Sequence, residues 1–505
     1  MTLAILSLYF GALGALALFG VHRLLLTWSA SRCPPTSPPE APATLPTVCI
    51  QLPVFNEAFV AARVLRAAAA IRYPADRLHI QVLDDSNDAT TAILQRVATE
   101  LRAKGLRVDV VRRDDRVGYK AGALAHGLAH TDAELIAIFD ADFVPPEEFL
   151  EHTVPLLVAD PGCGMVQARW AHINRDASWL TRAQGLFLDG HFGVEHQARW
   201  CSGHPFNFNG TAGIWRRQAI DDAGGWSHET ITEDLDLSYR AQIAGWRFAY
   251  TDGLLVPAEL PERWTAFRAQ QARWVRGSVE TARRRLGSIL SAPDWTWRQR
   301  FEGALHVTSN GAYLLMALIG ILLPLTVVLR DRLGWTVPGG QLVLSCLDLV
   351  MLTSGTCAMV VFYAYAIRSA PDRGSRGRAL ELAFALCVGA GMCLSNAREV
   401  LRGLYSENSE FVRTPKRGQN TAISLARTYR SPPGTTLALV ELLFAGLHGA
   451  CIVYALVHEL WGSIPFLLLY LVGFATVGAG SAVELLAGWR DRARVTAPDP
   501  QQLLE

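Results

Sequence analysis

The string Phe139-Asp140-Ala141-Asp142-Phe143 follows directly on the apolar run LIAI, so two carboxylates one residue apart stand at the mouth of what reads as a buried strand. An unpaired carboxylate taken out of water costs several kcal/mol even after relaxation, so this pair must meet water, a cation or a metal. A second pair, Asp84-Asp85, ends the apolar run HIQVL. Thr232-Glu233-Asp234, with Asp236 close behind, opens the helical stretch LDLSYRAQIAG, and Gln270-Gln271-Ala272-Arg273-Trp274 gives a Q-x-x-R-W pattern further on. Each string has an ordinary explanation by itself. An Asp pair after a strand is more often a turn or a helix cap than a ligand site. Thr232, Glu233 and Asp236 suit a helix N-terminus with acids in its first turn, and Q-x-x-R-W suits a surface helix with one packed tryptophan. In combination they describe other chemistry: one carboxyl pair can hydrogen-bond the base and ribose of a nucleotide while the other holds a divalent ion against a diphosphate, since hard cations prefer oxygen ligands.

Positioning those residues needs a scaffold, and the pattern from Thr47 onward supplies one. Short apolar runs alternate with amphipathic stretches: VCIQLPV then 57–70, HIQVLDD then 89–103, VDVVRR then 120–129, LIAIFDAD then 146–157. Strands alternating with helices predict an α/β domain with a parallel sheet, which binds ligands at the carboxyl ends of its strands. Asp84-Asp85 and Asp140-x-Asp142 lie at such ends. No G-x-G-x-x-G follows the first strand, so a dinucleotide cradle of that type finds no support.

The 505 residues are 50% hydrophobic, and unevenly so. Apolar residues concentrate at 2–21 and again beyond 304, in stretches approaching the ~20 needed to cross a bilayer. Residues 2–21 have no basic region before them and no A-x-A-like site after them, which predicts a retained anchor over 1–27 rather than a cleaved signal. A Pro-rich connector over 28–46, a globular region over 47–300 and a membrane region over 301–505 follow. Spans are predicted near 304–329, 341–367, 436–460 and 463–487, with 379–400 as an interfacial or re-entrant helix, because a further crossing there would move the C-terminal arginines outside. His22, Arg23 and Arg32 behind the first span place the globular region in the cytoplasm. Charges in a bilayer are expensive, which makes Asp348, Glu441, His448 and Glu484 pathway candidates. The net charge of +1 speaks against a nucleic-acid partner. Lys104, Lys120 and Lys416 are the only lysines among 47 basic residues, an arginine bias that points to a GC-rich genome and a bacterial inner membrane. The nine cysteines form no C-x-x-C pair and several lie in apolar runs, predicting buried free thiols rather than disulfides or a zinc site.

DDS at 84–86, DAD at 140–142, TED at 232–234 and QQARW at 270–274 stand in the order and rough spacing of a D, D, D, Q-x-x-R-W signature, and on them the chain resembles the processive, cellulose-synthase-like glycosyltransferases of family 2. IQLPVFNE, IQVLDDSNDAT, RVGYKAGAL, AIFDADFVP, VQARW, FNFNGTAGIWR and AGGW are similar to the mannan-synthase and xyloglucan-backbone-synthase branches, over roughly residues 47–285. The resemblance implies a GT-A-like, Rossmann-type nucleotide-sugar domain inserted between transmembrane helices. It implies roles as well: Asp234 as the base that deprotonates the acceptor, Asp140 and Asp142 as ligands of Mg²⁺ or Mn²⁺, Asp84 and Asp85 at the nucleoside, Lys120 and Arg273 toward the diphosphate or donor sugar, and Gln270 and Trp274 toward the acceptor. Phe411, Thr414 and Lys416 resemble a gating loop over 405–420, although Arg413 stands where valine is expected and Gly418 comes one residue late. A cationic loop on lipid headgroups is the ordinary alternative there. The expected activity is transfer of a hexose from UDP-glucose or GDP-mannose to a growing β-glucan or mannan chain, with export; the expected partners are that donor, a polysaccharide or lipid acceptor and the bilayer. Two alternatives stay open: a synthase adding one sugar to ceramide, diacylglycerol or a polyprenyl acceptor, and a transporter or receptor that only senses a nucleotide. Nothing in the chain bears on an auxiliary subunit.

Overall fold

Seven strands form one sheet in the order β3-β2-β1-β4-β6-β5-β7, where β1 is Val48–Val54, β2 Leu78–Asp84, β3 Arg107–Val111, β4 Leu135–Ile138, β5 Cys163–His172, β6 Gly213–Arg216 and β7 Arg247–Ala258. This computed structural model describes residues 2–34, 42, 44–334, 340–370, 378–405 and 435–494. The chain reads as continuous apolar runs at β1, β2 and β4 because both faces of the sheet are covered. On one face Val64, Leu65, Leu94, Val97, Phe149 and Val154, from helices Ala61–Ala69, Thr90–Ala103 and Phe149–Ala159, pack over Ile50, Val82 and Ala137. On the other, Leu124 and Leu128 of helix Tyr119–Leu128 and Leu237 of helix Glu233–Ile243 pack with Ile136 and Ile138. Parallel pairing sets Val54 beside Asp84, and β4 runs parallel to β1, so both Asp motifs emerge on one edge of the sheet.

The alternation seen from Thr47 to 157 is realised as expected, and the second half departs from it. β6 is antiparallel to β4 and to β5, whereas β5 and β7 are parallel. The reversal has a consequence for the site: the residues leading into β6 arrive at the carboxyl end of β4, where Ala212 N donates to Ile138 O (2.9 Å) and Asp140 N donates to Thr211 Oγ1 (2.9 Å).

Among the described residues four helices are long and apolar enough to cross a membrane: Thr2–Ser31, the run Trp297–Arg332, Thr436–Val457 and Trp461–Ala487. A further helix of 30 residues, Gly340–Ser369, occupies the stretch expected as a span at 341–367. The stretch expected as one interfacial helix at 379–400 is two, Arg378–Gly391 and Cys393–Tyr405, meeting at 46°. The cysteine expectation needs a correction. The sulfurs of Cys33 and Cys201 are joined, with Cα atoms 5.8 Å apart across a sequence separation of 168. The fold brings the end of helix Thr2–Ser31 against helix Gln197–Cys201, and no spacing in the chain announces that meeting. The other seven cysteines are free.

Candidate active site

A cavity of about 200 Å³ opens at the carboxyl edge of the sheet, and Asp85, Lys120, Asp140, Asp142, Asp234, Gln270, Arg273 and Trp274 all line it. They come from five stretches far apart in sequence. Asp85 follows the last residue of β2, and both its oxygens are gripped by the Arg113 fork (Nε to Oδ1 2.8 Å, Nη2 to Oδ2 2.6 Å). Asp140 and Asp142 lie just past the end of β4. Lys120 sits in the first turn of helix Tyr119–Leu128, Asp234 in that of helix Glu233–Ile243, and the remaining three on helix Trp264–Leu290. Asp84 is placed elsewhere. Its carboxylate is buried and accepts from Ser86 N (2.9 Å), Thr91 Oγ1 (2.7 Å) and Arg112 Nη1 (3.3 Å), so it ties the turn that presents Asp85 and does not face the cavity. Asp236 is also internal, bound to Arg240 (2.8 Å) and Arg285 (2.5 Å). Phe411, Thr414 and Lys416 lie outside the described residues.

Lys120 is the hub of the cavity floor. Its Nζ donates to Asp140 Oδ1 (2.5 Å) and to Gly210 O (2.9 Å). Burial alone would lower the lysine pKa, but the charges of Asp140, Glu233 and Asp234 outweigh it and raise the pKa, keeping the ammonium charged. Burial acts on the carboxylates in the opposite sense: it pushes Asp234 above its ordinary range against the restraining charge of Lys120, and together with the Asp234 charge it pushes Glu233 up to about 7. Enclosure lowers the Arg273 pKa, although the four surrounding carboxylates oppose this.

Sequence reasoning gave no role to Gly210, yet its φ is +81°, and a Cβ there would lie 2.9 Å from Asp234 Oδ2 and 3.3 Å from Lys120 Nζ. Only glycine admits both that backbone conformation and that approach. Asn209 and Trp170 also line the cavity; Asn209 Nδ2 donates to His191 Nε2 (2.7 Å), a ring that burial keeps neutral and therefore able to accept. Toward the Asp85 end, the Arg116 guanidinium lies over the Phe55 ring, 3.3 Å from its centroid, and both line the cavity. The string FNFNGTAGIWR contains Asn209 and Gly210, but only a known backbone conformation identifies which glycine matters.

A divalent cation fits the Asp140–Asp142 end. The donors are carboxylate oxygens, both carboxylates open to the cavity, and the ammonium against Asp140 shows that a positive charge is already stabilised there. Among the described residues no group of three or more His, Cys, Asp or Glu side chains is placed to enclose a metal, so an ion here would complete its shell with phosphate oxygens and water, as Mg²⁺ habitually does.

A second cavity, of about 330 Å³, lies among the membrane-length helices and is lined by Arg23, Gln271, Asn310, Tyr313, Met359 and Asn396, among others. Helix Trp264–Leu290 borders both cavities: Gln270, Arg273 and Trp274 face the first, and Phe267 and Gln271 the second.

Sheet order, strand-edge carboxylates and apolar helices together define a GT-A-type glycosyltransferase domain set among membrane-length helices. Residues 46–277 match the family model described as "Glycosyltransferase like family 2". A probable glucomannan 4-beta-mannosyltransferase of Oryza sativa subsp. japonica is 44% identical over 258 residues, covering 50% of this chain and 49% of that one. A glucomannan 4-beta-mannosyltransferase of Arabidopsis thaliana is 32% identical over 450 residues, covering 87% of this chain and 77% of that one. The chain belongs to glycosyltransferase family 2, in the cellulose-synthase-like group that holds these enzymes. A mannosyltransferase of Pyrobaculum calidifontis, solved with GDP-Man and Mn²⁺, is similar at 22% identity with a TM-score of 0.48, covering 73% of this chain and 96% of that one. The alignment spans about half the length of the rice relative. Both curated relatives are plant proteins, and the bacterial membrane expected from the arginine bias finds no support in them.

Proposed function

We propose that the chain is an inverting, processive hexosyltransferase that passes a hexose, mannose first, from a nucleotide sugar to a growing β-linked mannan or glucan chain. The observation that carries this reading is the convergence of three acidic tips, one lysine and the Q-x-x-R-W helix on a single cavity that adjoins a second one among the membrane helices. The relatives' name, 4-beta-mannosyltransferase, favours mannose, so GDP-mannose is the donor to try before UDP-glucose.

Asp234 takes the proton from the acceptor hydroxyl as that oxygen attacks the anomeric carbon and the nucleoside diphosphate departs. Its raised pKa makes it a stronger base than an ordinary aspartate. Arg273 matches diphosphate oxygens with its planar fork, and Lys120 adds a point charge beside them. Asp140 and Asp142 would hold Mg²⁺ or Mn²⁺, which supplies positive charge to the leaving diphosphate. Asp85, with Arg113 and the Phe55–Arg116 stack, receives the nucleoside. Trp274 offers an apolar face to the acceptor ring and Gln270 its amide. From there the chain passes along helix Trp264–Leu290 into the membrane cavity, on which the export reading rests. The catalytic domain belongs on the cytoplasmic side of a multi-pass protein, the side on which His22 meets Glu302 (2.9 Å) and Arg23 meets Glu195.

The test is incubation of purified membranes with radiolabelled GDP-mannose or UDP-glucose, followed by digestion with endo-mannanase or endo-glucanase. Labelled polymer that yields to one of these hydrolases supports the proposal. A single lipid-extractable glycoside supports the glycolipid alternative, and no transfer from either donor removes the enzymatic reading.

A further inference from the structure

Two carboxylates from the last membrane helices reach the amino-terminal end of helix Trp264–Leu290. Glu484, on helix Ile464–Arg494, accepts from Trp264 N (2.6 Å), Thr265 N (2.9 Å) and Thr265 Oγ1 (2.8 Å). The first amides of a helix have no partner within it, and Arg263, the residue before this helix, provides no side-chain cap. Glu484 therefore does the work of an N-cap from 220 residues away. Glu441, on helix Thr435–Val457, is fully buried and accepts from Arg268 Nη1 at 2.7 Å, and Ser481 Oγ lies 3.2 Å from the same nitrogen. A side chain at Gly480 would collide with the Trp264 ring, so the two helices are also in close approach there.

The sequence suggested that Glu441 and Glu484 lie on a pathway through the membrane. The geometry gives them a different job, because both are bound to one catalytic helix. His448 is buried, its Nδ1 is bound to Phe444 O (2.8 Å), and its ring stacks on Tyr470. A buried ion pair such as Glu441–Arg268 is commonly no more stabilising than a well-packed apolar pair of the same volume, and in some proteins a buried polar pair fixes one register.

The structure assigns Glu441 and Glu484 as positioning residues that fix the axial setting of helix Trp264–Leu290 and, through it, hold Gln270, Arg273 and Trp274 against the carboxylates of the catalytic cavity. This assignment rests on reading that cavity as the place of sugar transfer. Reactive groups displaced by about 1 Å cost on the order of 10²-fold in rate, so weakening the clamp lowers kcat while the nucleoside end, formed by Asp85 and Arg113, goes on binding.

The experiment uses the full chain in lipid nanodiscs as wild type, Glu484→Gln, Glu484→Asp, Glu441→Gln, Arg268→Ala and the Arg268→Ala/Glu441→Gln double variant. The readouts are GDP and UDP affinity, kcat, the pH–rate profile and amide hydrogen exchange. The expected result is kcat reduced by roughly 10²-fold in Glu484→Gln, a smaller loss in Glu484→Asp, and GDP and UDP affinity lowered far less than kcat, because Asp85 and Arg113 still hold the nucleoside end. The pH profile should keep its shape, the first turns of Trp264–Leu290 should exchange faster while the sheet does not, and the double variant should lose no more than the worse single. Wild-type kcat and exchange in the variants, additive losses in the double, or a displaced pH limb would each overturn the assignment, the last by marking a proton path. If the wild type transfers no sugar, the functional reading fails by itself, and the exchange data still decide whether the clamp holds the helix.

Discussion

Asp234 can take a proton only as a carboxylate, so kcat/KM is full above its folded-state pKa and falls as the pH drops through it. Burial raises that pKa and the Lys120 charge restrains the rise. The acid limb should therefore lie above the ordinary carboxylate range, and Lys120→Gln should move it to higher pH; a pH–rate series in which the limb stays put or moves down would contradict this. Gly210 gives a second prediction. Gly210→Ala combines a left-handed backbone, costing about 1–2 kcal/mol for an L-residue, with a methyl 2.9 Å from Asp234 Oδ2. Turnover should fall well over tenfold for a misplaced base, with nucleotide affinity retained, as parallel kinetics and calorimetry would show. The difference between these residues is instructive. Asp85, Asp140 and Asp142 stood out because a carboxylate at the end of an apolar run needs an explanation, and Asp234 only through the order of TED and Q-x-x-R-W along the chain. Asp84 looked the same on paper, but its hydrogen bonds inside the turn are invisible until the turn is built.

At the scale of elements, the first four strands and their helices were legible because both periodicities are strong and each unit is local. β6 is only four residues long, and β5 and β7 pair across an interval of sequence that no periodicity spans. The run into β6 nevertheless brings Thr211 to Asp140 and Gly210 to Lys120. Arg169, on β5, is 1% exposed and binds Asp252 (2.8 Å) and Asp189 (3.2 Å), while Asp189 also meets Arg175 (2.8 Å), which binds Glu381 (2.6 Å) on helix Arg378–Gly391. This chain of charges ties the sheet to the membrane region. Arg169→Ala strips a partner from buried Asp189 and should destabilise by about 3–5 kcal/mol, read as a lower thermal midpoint of the purified protein. An unchanged midpoint would mean that Arg175 alone satisfies Asp189. The 46° bend between Arg378–Gly391 and Cys393–Tyr405 was not foreseen, since hydropathy reports apolar length and not direction. Past the bend, Glu399 pairs with Arg276, so the second helix packs on helix Trp264–Leu290.

For the whole molecule, the proposal joins a nucleotide-sugar cavity to a membrane cavity through one helix, with the diphosphate charge met by Lys120, Arg273 and a cation held on Asp140 and Asp142. Chelation of divalent ions should abolish transfer, Mg²⁺ or Mn²⁺ should restore it, and Asp142→Asn should raise the metal concentration needed; full activity in excess chelator would refute the metal assignment. The most direct measurement is single-turnover hexosyl transfer by Asp234→Asn beside wild type, with donor affinity determined on the same preparations. The account predicts a rate lowered by about 10²–10⁴-fold, the span typical for loss of a general base, at unchanged affinity. Transfer at the wild-type rate would contradict it.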